Sequence, residues 1–142
     1  MKFKKYIGRE SNFQQSAMEL LDVLGKVALH VPNESKGTKA WHIKRKKQGL
    51  KKGFLDVLVL EAKKGYHGLV IELKTDGKYP TKEQYEWMDK LNAQGYYACW
   101  TDSFDEFMFI VTSYFSLERE LTRDMFRCGR KNKKDASLQK VT

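Results

Sequence analysis

Two acidic residues and a lysine stand in segments that are otherwise typical of buried strands, and they constrain the fold more than any other feature. Residues 55–60 and 69–74 are rich in Val, Leu and Ile, with a glycine-containing turn between them. Such runs predict neighbouring strands. Because side chains alternate along a strand, Glu72 and Lys74 lie on the same side. If the two strands pair, Asp56 can approach Glu72.

Charged side chains are rarely buried unless they are paired or bind a metal. Two carboxylates and an ammonium group at one point of a sheet therefore favour a site for a hard divalent cation and the water that it activates. The alternative is a cross-strand set of ion pairs on a solvated face, with no site. The apolar run around Glu72, with Asp56 opposite it, favours the cation site.

The net charge points to a polyanionic partner. The chain has 27 basic and 18 acidic residues, which gives +9. Residues 36–52 contain no acidic residue and eight basic ones, namely Lys36, Lys39, Lys44, Arg45, Lys46, Lys47, Lys51 and Lys52. A second basic segment stands at 127–134 and begins with Arg127. Solvated faces usually mix both signs, whereas a dense block of one sign is typical of binding along a phosphate backbone. No amphipathic helix with a large apolar face accompanies the block, so nucleic acid is favoured over an acidic membrane.

Composition and length indicate a folded globular protein. The 142 residues, 41% of them hydrophobic, suffice for one domain with a substantial core. No apolar run has the ~20 residues that a membrane helix needs, and the first residues lack the apolar region of a signal peptide. The sequence thus predicts a cytoplasmic protein without a membrane partner. The cysteines and histidines are scattered, which argues against a zinc site.

Hydrophobic periodicity predicts an α/β fold with a mixed central sheet flanked by helices, in a single domain. The predicted elements are a helix at 10–24, a strand at 27–31, a short helix or loop in the basic segment, strands at 55–60 and 69–74, a helix at 81–94, a strand at 96–100 and a helix at 104–115. The domain is expected to span residues 1–128. Residues 129–142 are expected to form a basic, flexible tail.

The pattern Gly53-x-x-Asp56, followed by Glu72-Leu73-Lys74, resembles the PD-(D/E)XK nuclease superfamily, and within it the VRR-NUC (virus-type replication-repair nuclease) domain. Further similar segments stand in the same order at 30–33, 49–53, 68–75, 84–87 and 93–96. The resemblance covers about residues 10–111 and implies a restriction-endonuclease-like core.

The resemblance also implies a set of site residues. Asp56 and Glu72 match the metal ligands of the family, for Mg²⁺ or Mn²⁺, and the backbone carbonyl of Leu73 is expected to complete the metal site. Lys74 matches the catalytic lysine, which orients or deprotonates the attacking water. Gln84 matches a glutamine of the helix that follows.

Two of the matches have alternative interpretations. Gln84 also fits a capping box with Thr81, and both roles are compatible. Glu10, with Gln14 four residues later, matches a pair on the first helix of the family, but an acidic residue there also favours a helix N-terminus electrostatically. One departure is Leu55, which stands where the family usually has proline.

Taken together, the resemblance implies a metal-dependent DNA endonuclease. Stand-alone members of the family resemble Holliday-junction resolvases that act on branched DNA as homodimers, and many come from phages. A flap or nicking nuclease without junction specificity is the alternative among enzymes. A nucleic-acid-binding module with an inert site is the alternative outside them.

Overall fold

The computed structural model describes residues 10–32 and 37–130, without the side chains of Glu10 and Ser11. Helices and strands alternate along this part of the chain. They are α1 (Glu10–Val23), β1 (Ala28–His30), α2 (Lys39–Lys47), β2 (Val57–Val59), β3 (Leu69–Leu73), α3 (Lys82–Ala93), β4 (Tyr97–Thr101) and α4 (Phe104–Phe115). The predicted α/β class is confirmed.

The strands form one four-stranded sheet in the order β1-β2-β3-β4. β2 is antiparallel to both β1 and β3, whereas β3 and β4 are parallel. A hairpin turn suffices to join β2 to β3, but the parallel pair needs a crossover, and α3 provides it. The predicted mixed central sheet flanked by helices is therefore confirmed. All residues of the inner strand β3 are buried.

Helices cover both faces of the sheet. The core on the face that packs against α1 and α4 includes Phe13, Leu21, Ile71, Leu73, Phe107 and Tyr114. The core on the face that packs against α3 includes Leu55, Val70, Met88, Ala98 and Trp100. Because neighbouring side chains of a strand point to opposite faces, Glu72 shares the α3 face with Val70. This places a carboxylate under the start of α3.

Side-chain caps define where three of the helices begin. The hydroxyl oxygens of Thr38, Thr81 and Ser103 accept hydrogen bonds from backbone N–H groups in the first turns of α2, α3 and α4. Such caps satisfy donors that have no partner within the helix. The basic segment, for which the sequence allowed a helix or a loop, is thus a helix with a defined start.

Several elements are shorter than predicted, and the difference lies at their ends. The predicted strand 55–60 forms regular pairs only over β2, although the backbone N–H of Leu60 still donates to the carbonyl of Val27 at 2.7 Å. Likewise, the backbone N–H of Val31 donates to the carbonyl of Asp56 at 2.8 Å. Isolated bonds of this kind extend the pairing beyond the regular ladder.

The chain after α4 returns to the sheet. Trp100 of β4 forms an antiparallel bridge with Arg127, and Leu121 and Phe126 are buried. Of the predicted tail at 129–142, only Gly129 and Arg130 lie within the described residues. Within the described ranges, none of the helices is both long and apolar enough to span a membrane.

Candidate active site

The β2–β3 hairpin brings the two predicted carboxylates together. Val57 pairs with Ile71, so the next position along the antiparallel register sets Asp56 opposite Glu72. Asp56 Oδ2 accepts a hydrogen bond of 2.9 Å from the backbone N–H of Leu73. The carboxylate of Asp56 is thereby held against β3, next to Glu72.

The backbone of Asp56 is anchored as well. Its carbonyl accepts hydrogen bonds from the backbone N–H of Val31 at 2.8 Å and from His30 Nδ1 at 2.9 Å. A carbonyl can only accept, so Nδ1 of His30 carries a proton. The edge strand β1 therefore helps to position Asp56.

Glu72 is buried and only partly satisfied. Its side chain is 1% exposed, and Oε1 lies 3.2 Å from Nζ of Lys74. Gln84 Nε2 donates a hydrogen bond of 2.7 Å to the same oxygen. The other oxygen, Oε2, is buried without a hydrogen-bond partner among the described residues. The Glu72–Lys74 pair is thus not on a solvated face.

This environment disfavours the charge of Glu72. Burial, followed by repulsion from the Asp56 carboxylate, raises the pKa of Glu72 to about 9, and the attraction of Lys74 only partly opposes the rise. A carboxylate of this kind is stabilised when a further positive charge is brought to it.

The side chain of Gln84 forms the predicted capping box and also contacts Glu72, while its role in the chemistry stays a prediction. Its side-chain carbonyl accepts a hydrogen bond of 2.8 Å from the backbone N–H of Thr81, which completes a capping box at the start of α3. Its amide group donates to Glu72. A single side chain therefore fixes the first turn of α3 and reaches the buried carboxylate.

The donor set suits a hard divalent cation. The unpartnered Oε2 of Glu72 and the neighbouring Asp56 carboxylate are oxygen donors, as is the backbone carbonyl of Leu73. No group of three or more His, Cys, Asp or Glu side chains that could hold a metal occurs among the residues that the structure describes. Mg²⁺ needs only one or two carboxylates, because water and substrate phosphate fill its other positions.

The remaining predicted catalytic residue is only partly described. Glu10 begins α1, but its side chain lies outside what the structure describes. Gln14, four residues on, is half-buried. The role of Glu10 therefore stays a prediction.

The predicted nucleic-acid-binding residues lie on α2 and the loop that follows it, apart from Lys36, which is outside the described residues. α2 has no buried residue, and Lys44, Arg45, Lys46 and Lys47 form its last turn. Cations at the C-terminal end of a helix are favourable for the helix dipole. Lys39, Lys51 and Lys52 are exposed too.

The loop after α2 is attached to α3. The backbone carbonyl of Lys52 accepts a hydrogen bond of 3.0 Å from Trp87 Nε1. Gly53 has a φ of +80°, and a Cβ at this position would lie 2.5 Å from Cβ of Glu83. Only glycine allows this approach, so the basic segment rests on the same turn of α3 that carries Gln84.

One charged cluster near the site was not predicted. Arg127 Nη2 contacts Asp102 Oδ1 at 2.9 Å and Glu106 Oε1 at 3.0 Å. The guanidinium lies 3.8 Å from the ring centroid of Trp100. In the sequence Arg127 opens the second basic segment, but its charge is paired within the protein. Arg127 is 25 positions from Asp102 and 21 from Glu106, and no local spacing in the sequence reveals such pairs.

No protein-family model matches the chain, and no curated protein does so either. Solved structures are similar to it, and two of them are VRR-NUC structures. A "VRR_NUC domain protein" is 26% identical with a TM-score of 0.66, and the match covers 82% of this chain and 93% of that one. A second structure, "VRR_NUC domain", is 18% identical with a TM-score of 0.53, covers 75% of this chain and 97% of that one, and is a likeness in fold alone.

These likenesses agree with the motif around Asp56, Glu72 and Lys74 and with the sheet that carries it. They fit an α/β nuclease core. The fold and the motif together therefore support a VRR-NUC domain, a nuclease-type domain, in this chain.

Proposed function

We propose that this protein is a Mg²⁺- or Mn²⁺-dependent, structure-specific DNA endonuclease that hydrolyses phosphodiester bonds. The observation that supports this most directly is the buried carboxylate of Glu72. One of its oxygens has no partner in the described residues, and its neighbour across the hairpin, Asp56, is also acidic. Burial of a carboxylate without a full set of partners destabilises the folded state, and a bound cation would offset that destabilisation.

Hydrolysis of a phosphodiester requires positive charge beside the scissile group, because the attack adds negative charge to it. Asp56, Glu72 and the carbonyl of Leu73 are the groups that would hold the cation. When bound, the cation polarises the phosphate oxygen and lowers the pKa of a water molecule.

Lys74 and Gln84 position the reacting groups, and Lys74 also neutralises negative charge. The ammonium group of Lys74, whose side chain is 13% exposed, is held by Glu72 at the end of the strand. From there it can orient the attacking water and offset charge that develops on the phosphate. Gln84 holds Glu72 Oε1 in place, which leaves Oε2 for the cation.

Flanking phosphates are bound by the basic segment. The seven basic side chains of α2 and its following loop that the structure describes are exposed, and the loop is attached to α3 beside the site. The binding energy then comes largely from counterion release, with little dependence on base sequence.

The substrate we propose is a Holliday junction, cut by a homodimer with one active site per subunit. Two-fold symmetry of the protein matches the paired strands of a four-way junction. A flap or nicking nuclease is the second candidate, and an inert binding module is the third. For the first candidate, the junction-cutting homodimer, we also propose a role in phage DNA replication or repair.

The test compares wild type with Glu72→Ala, Glu72→Gln and Lys74→Ala on a four-way junction, a flap and a supercoiled plasmid, in Mn²⁺, Mg²⁺ or EDTA. Symmetric nicks in the junction that need the metal are the expected result. Each variant should lower the cleavage rate at least about 100-fold while DNA binding is largely kept. Lys63→Ala, at the opposite end of the hairpin, is the control and should cut normally.

The other outcomes are equally informative. Cutting of flaps alone selects the second candidate, and binding without cutting in any metal selects the third. Equal loss of binding and cutting in Lys74→Ala means that Lys74 binds a phosphate and is not catalytic. A mass measurement in solution, with and without the junction, tests the homodimer.

A further inference from the structure

A cavity of about 460 Å³ opens beside the nuclease site, at the end of the β3–β4 pair. The backbone N–H of Lys74 donates to the carbonyl of Thr101 at 2.8 Å, so the two strands end together. After Lys74 the chain turns, with the N–H of Lys78 donating to the carbonyl of Thr75 at 3.1 Å, and reaches Tyr79. Tyr79, Asp102 and Arg127 line the cavity.

The lining of the cavity carries charges of both signs, with Asp102, Glu106 and Asp124 against Arg127 and Lys78. Asp102 and Glu106 are both paired with Arg127, at 2.9 and 3.0 Å. Lys78, also on the lining, is exposed. Three acidic side chains thus stand against two basic ones, which suits an uncharged base better than a phosphate, and the size of the cavity lies within the range of small-molecule sites.

Tyr79 is the unusual member of the lining. Its side chain is 72% exposed, which is high for a large aromatic residue that follows a buried strand and a short turn. Within the described part of the chain, its ring makes an edge contact with Trp100, at a centroid distance of 5.7 Å. A face of the tyrosine ring is therefore available at the opening of the cavity, and an exposed aromatic face is what an unpaired base stacks on.

We propose that this cavity binds one unpaired nucleotide of the DNA substrate, with the base stacked on Tyr79. The inference rests on the proposed nuclease function and narrows its substrate to DNA that has an unstacked base near the scissile bond. A base within a regular duplex cannot reach the cavity, because it is stacked and paired. Tyr79 stands five positions after Lys74, a reach of at most ~17 Å, so the unpaired base lies within about five nucleotides of the cut.

The experiment measures affinity in EDTA, where cutting is blocked, for a fully paired duplex and for the same duplex with one unpaired adenosine. The readout is the ratio of the two affinities. Wild type should prefer the DNA with the unpaired base, and Tyr79→Ala should reduce the preference about ten-fold. Tyr79→Phe keeps the aromatic face and should retain the preference. Leu117→Ala changes another highly exposed side chain, away from the cavity, and is the matched control.

Two results would overturn the inference. One is an unchanged ratio in Tyr79→Ala. The other is an equal loss of affinity for both DNAs, which would mean that Tyr79 binds DNA without regard to pairing. The inference and the proposed function fail separately: if wild type does not cut in Mn²⁺ but the ratio responds to Tyr79, the nucleotide site stands without the nuclease activity. If metal-dependent cutting is present and the ratio does not respond, only the nucleotide site is rejected.

Discussion

Gln84 Nε2 donates a hydrogen bond of 2.7 Å to Glu72 Oε1, and this bond joins the first turn of α3 to the buried carboxylate of β3. The carbonyl oxygen of the same side chain caps the helix. Folding of the helix end and alignment of the site therefore depend on one amide group. The two roles can be separated by experiment.

Thr81→Ala removes the hydroxyl that accepts from the backbone N–H of Gln84 and leaves the Gln84 side chain in place, whereas Gln84→Ala removes the side-chain bonds to the Thr81 N–H and to Glu72. Each variant should lower the free energy of unfolding by about 1 kcal/mol, as the loss of a helix cap does. Only Gln84→Ala should also lower the cleavage rate, by about ten-fold or more, as changes to groups that orient a metal ligand do. Thermal unfolding and single-turnover cleavage measure the two effects. Equal cleavage rates in the two variants would mean that Gln84 only caps the helix and does not orient Glu72.

Glu72→Gln should stabilise the metal-free protein at alkaline pH. The pKa of Glu72 is raised to about 9 in the folded state from 4.5, so the folded state binds the proton more tightly than the unfolded chain. The free energy of unfolding of wild type then falls as the pH rises from 4.5 toward 9.

The neutral glutamine does not have this pH dependence. The gain in the free energy of unfolding of Glu72→Gln over wild type should be absent below pH 4.5. It should reach at least about 1 kcal/mol above a pH of about 9. Denaturant unfolding in EDTA across the pH range measures it. Mn²⁺ should stabilise wild type more than the variant at high pH, because the cation compensates the carboxylate. A difference that does not vary with pH would contradict the burial argument.

Gly53→Ala should destabilise the protein more than Gly49→Ala. Both residues have positive φ, +80° and +98°, so alanine costs about 1 kcal/mol at either position. At Gly49 a Cβ meets nothing within 4 Å, whereas at Gly53 it would overlap Cβ of Glu83. Such overpacking adds about 1–3 kcal/mol. Urea unfolding of both variants measures the difference. Equal stabilities would mean that the first turn of α3 shifts to accommodate the added Cβ without a cost in stability.

DNA affinity should fall steeply with salt, and α2 should account for much of the slope. Replacing Lys44, Arg45, Lys46 and Lys47 by alanine removes four exposed cations from a helix without buried residues. The slope of log affinity against log salt should decrease by about 0.9 for each phosphate that the variant no longer neutralises. Titration at several salt concentrations measures it, with Lys63→Ala as the control. A flat response of wild type would remove the basic segment from DNA binding.

Arg127→Met should destabilise the fold without a direct effect on phosphate binding. The change leaves Asp102 and Glu106 without their shared arginine, at side-chain exposures of 12% and 17%. Removal of hydrogen bonds to charged groups of this kind costs about 2 kcal/mol. Thermal unfolding measures the change. The salt dependence of DNA binding should stay that of wild type, and a reduced slope would mean that Arg127 binds a phosphate after all.

Much of this architecture is predictable from the sequence, because the signals are local. The helix at 104–115 coincides with α4, since Ser103 caps it and its apolar residues repeat with the helical period. The opposition of Asp56 and Glu72 follows from two apolar runs and a short turn, which leave little choice of pairing. The capping role of Gln84 follows in the same way from its spacing to Thr81.

What could not be predicted depends on interactions between distant parts of the chain. The sequence did not decide whether residues 39–47 form a helix, because α2 buries no apolar face and has no periodic signal. The pairing of Arg127 with Asp102 joins residues 25 positions apart. The cavity at Tyr79 forms where α4 and the returning segment meet the strand ends, and no single stretch of sequence specifies that meeting.

The backbone of Lys52 and Gly53, just after the basic helix α2, is bound to α3 by a hydrogen bond and by close packing. α2 buries none of its residues, whereas Gly53 packs closely against the turn of α3 that carries Gln84. Changes confined to α2 should therefore alter the proposed DNA contacts and leave the proposed active site in place, as long as Lys52 and Gly53 are kept.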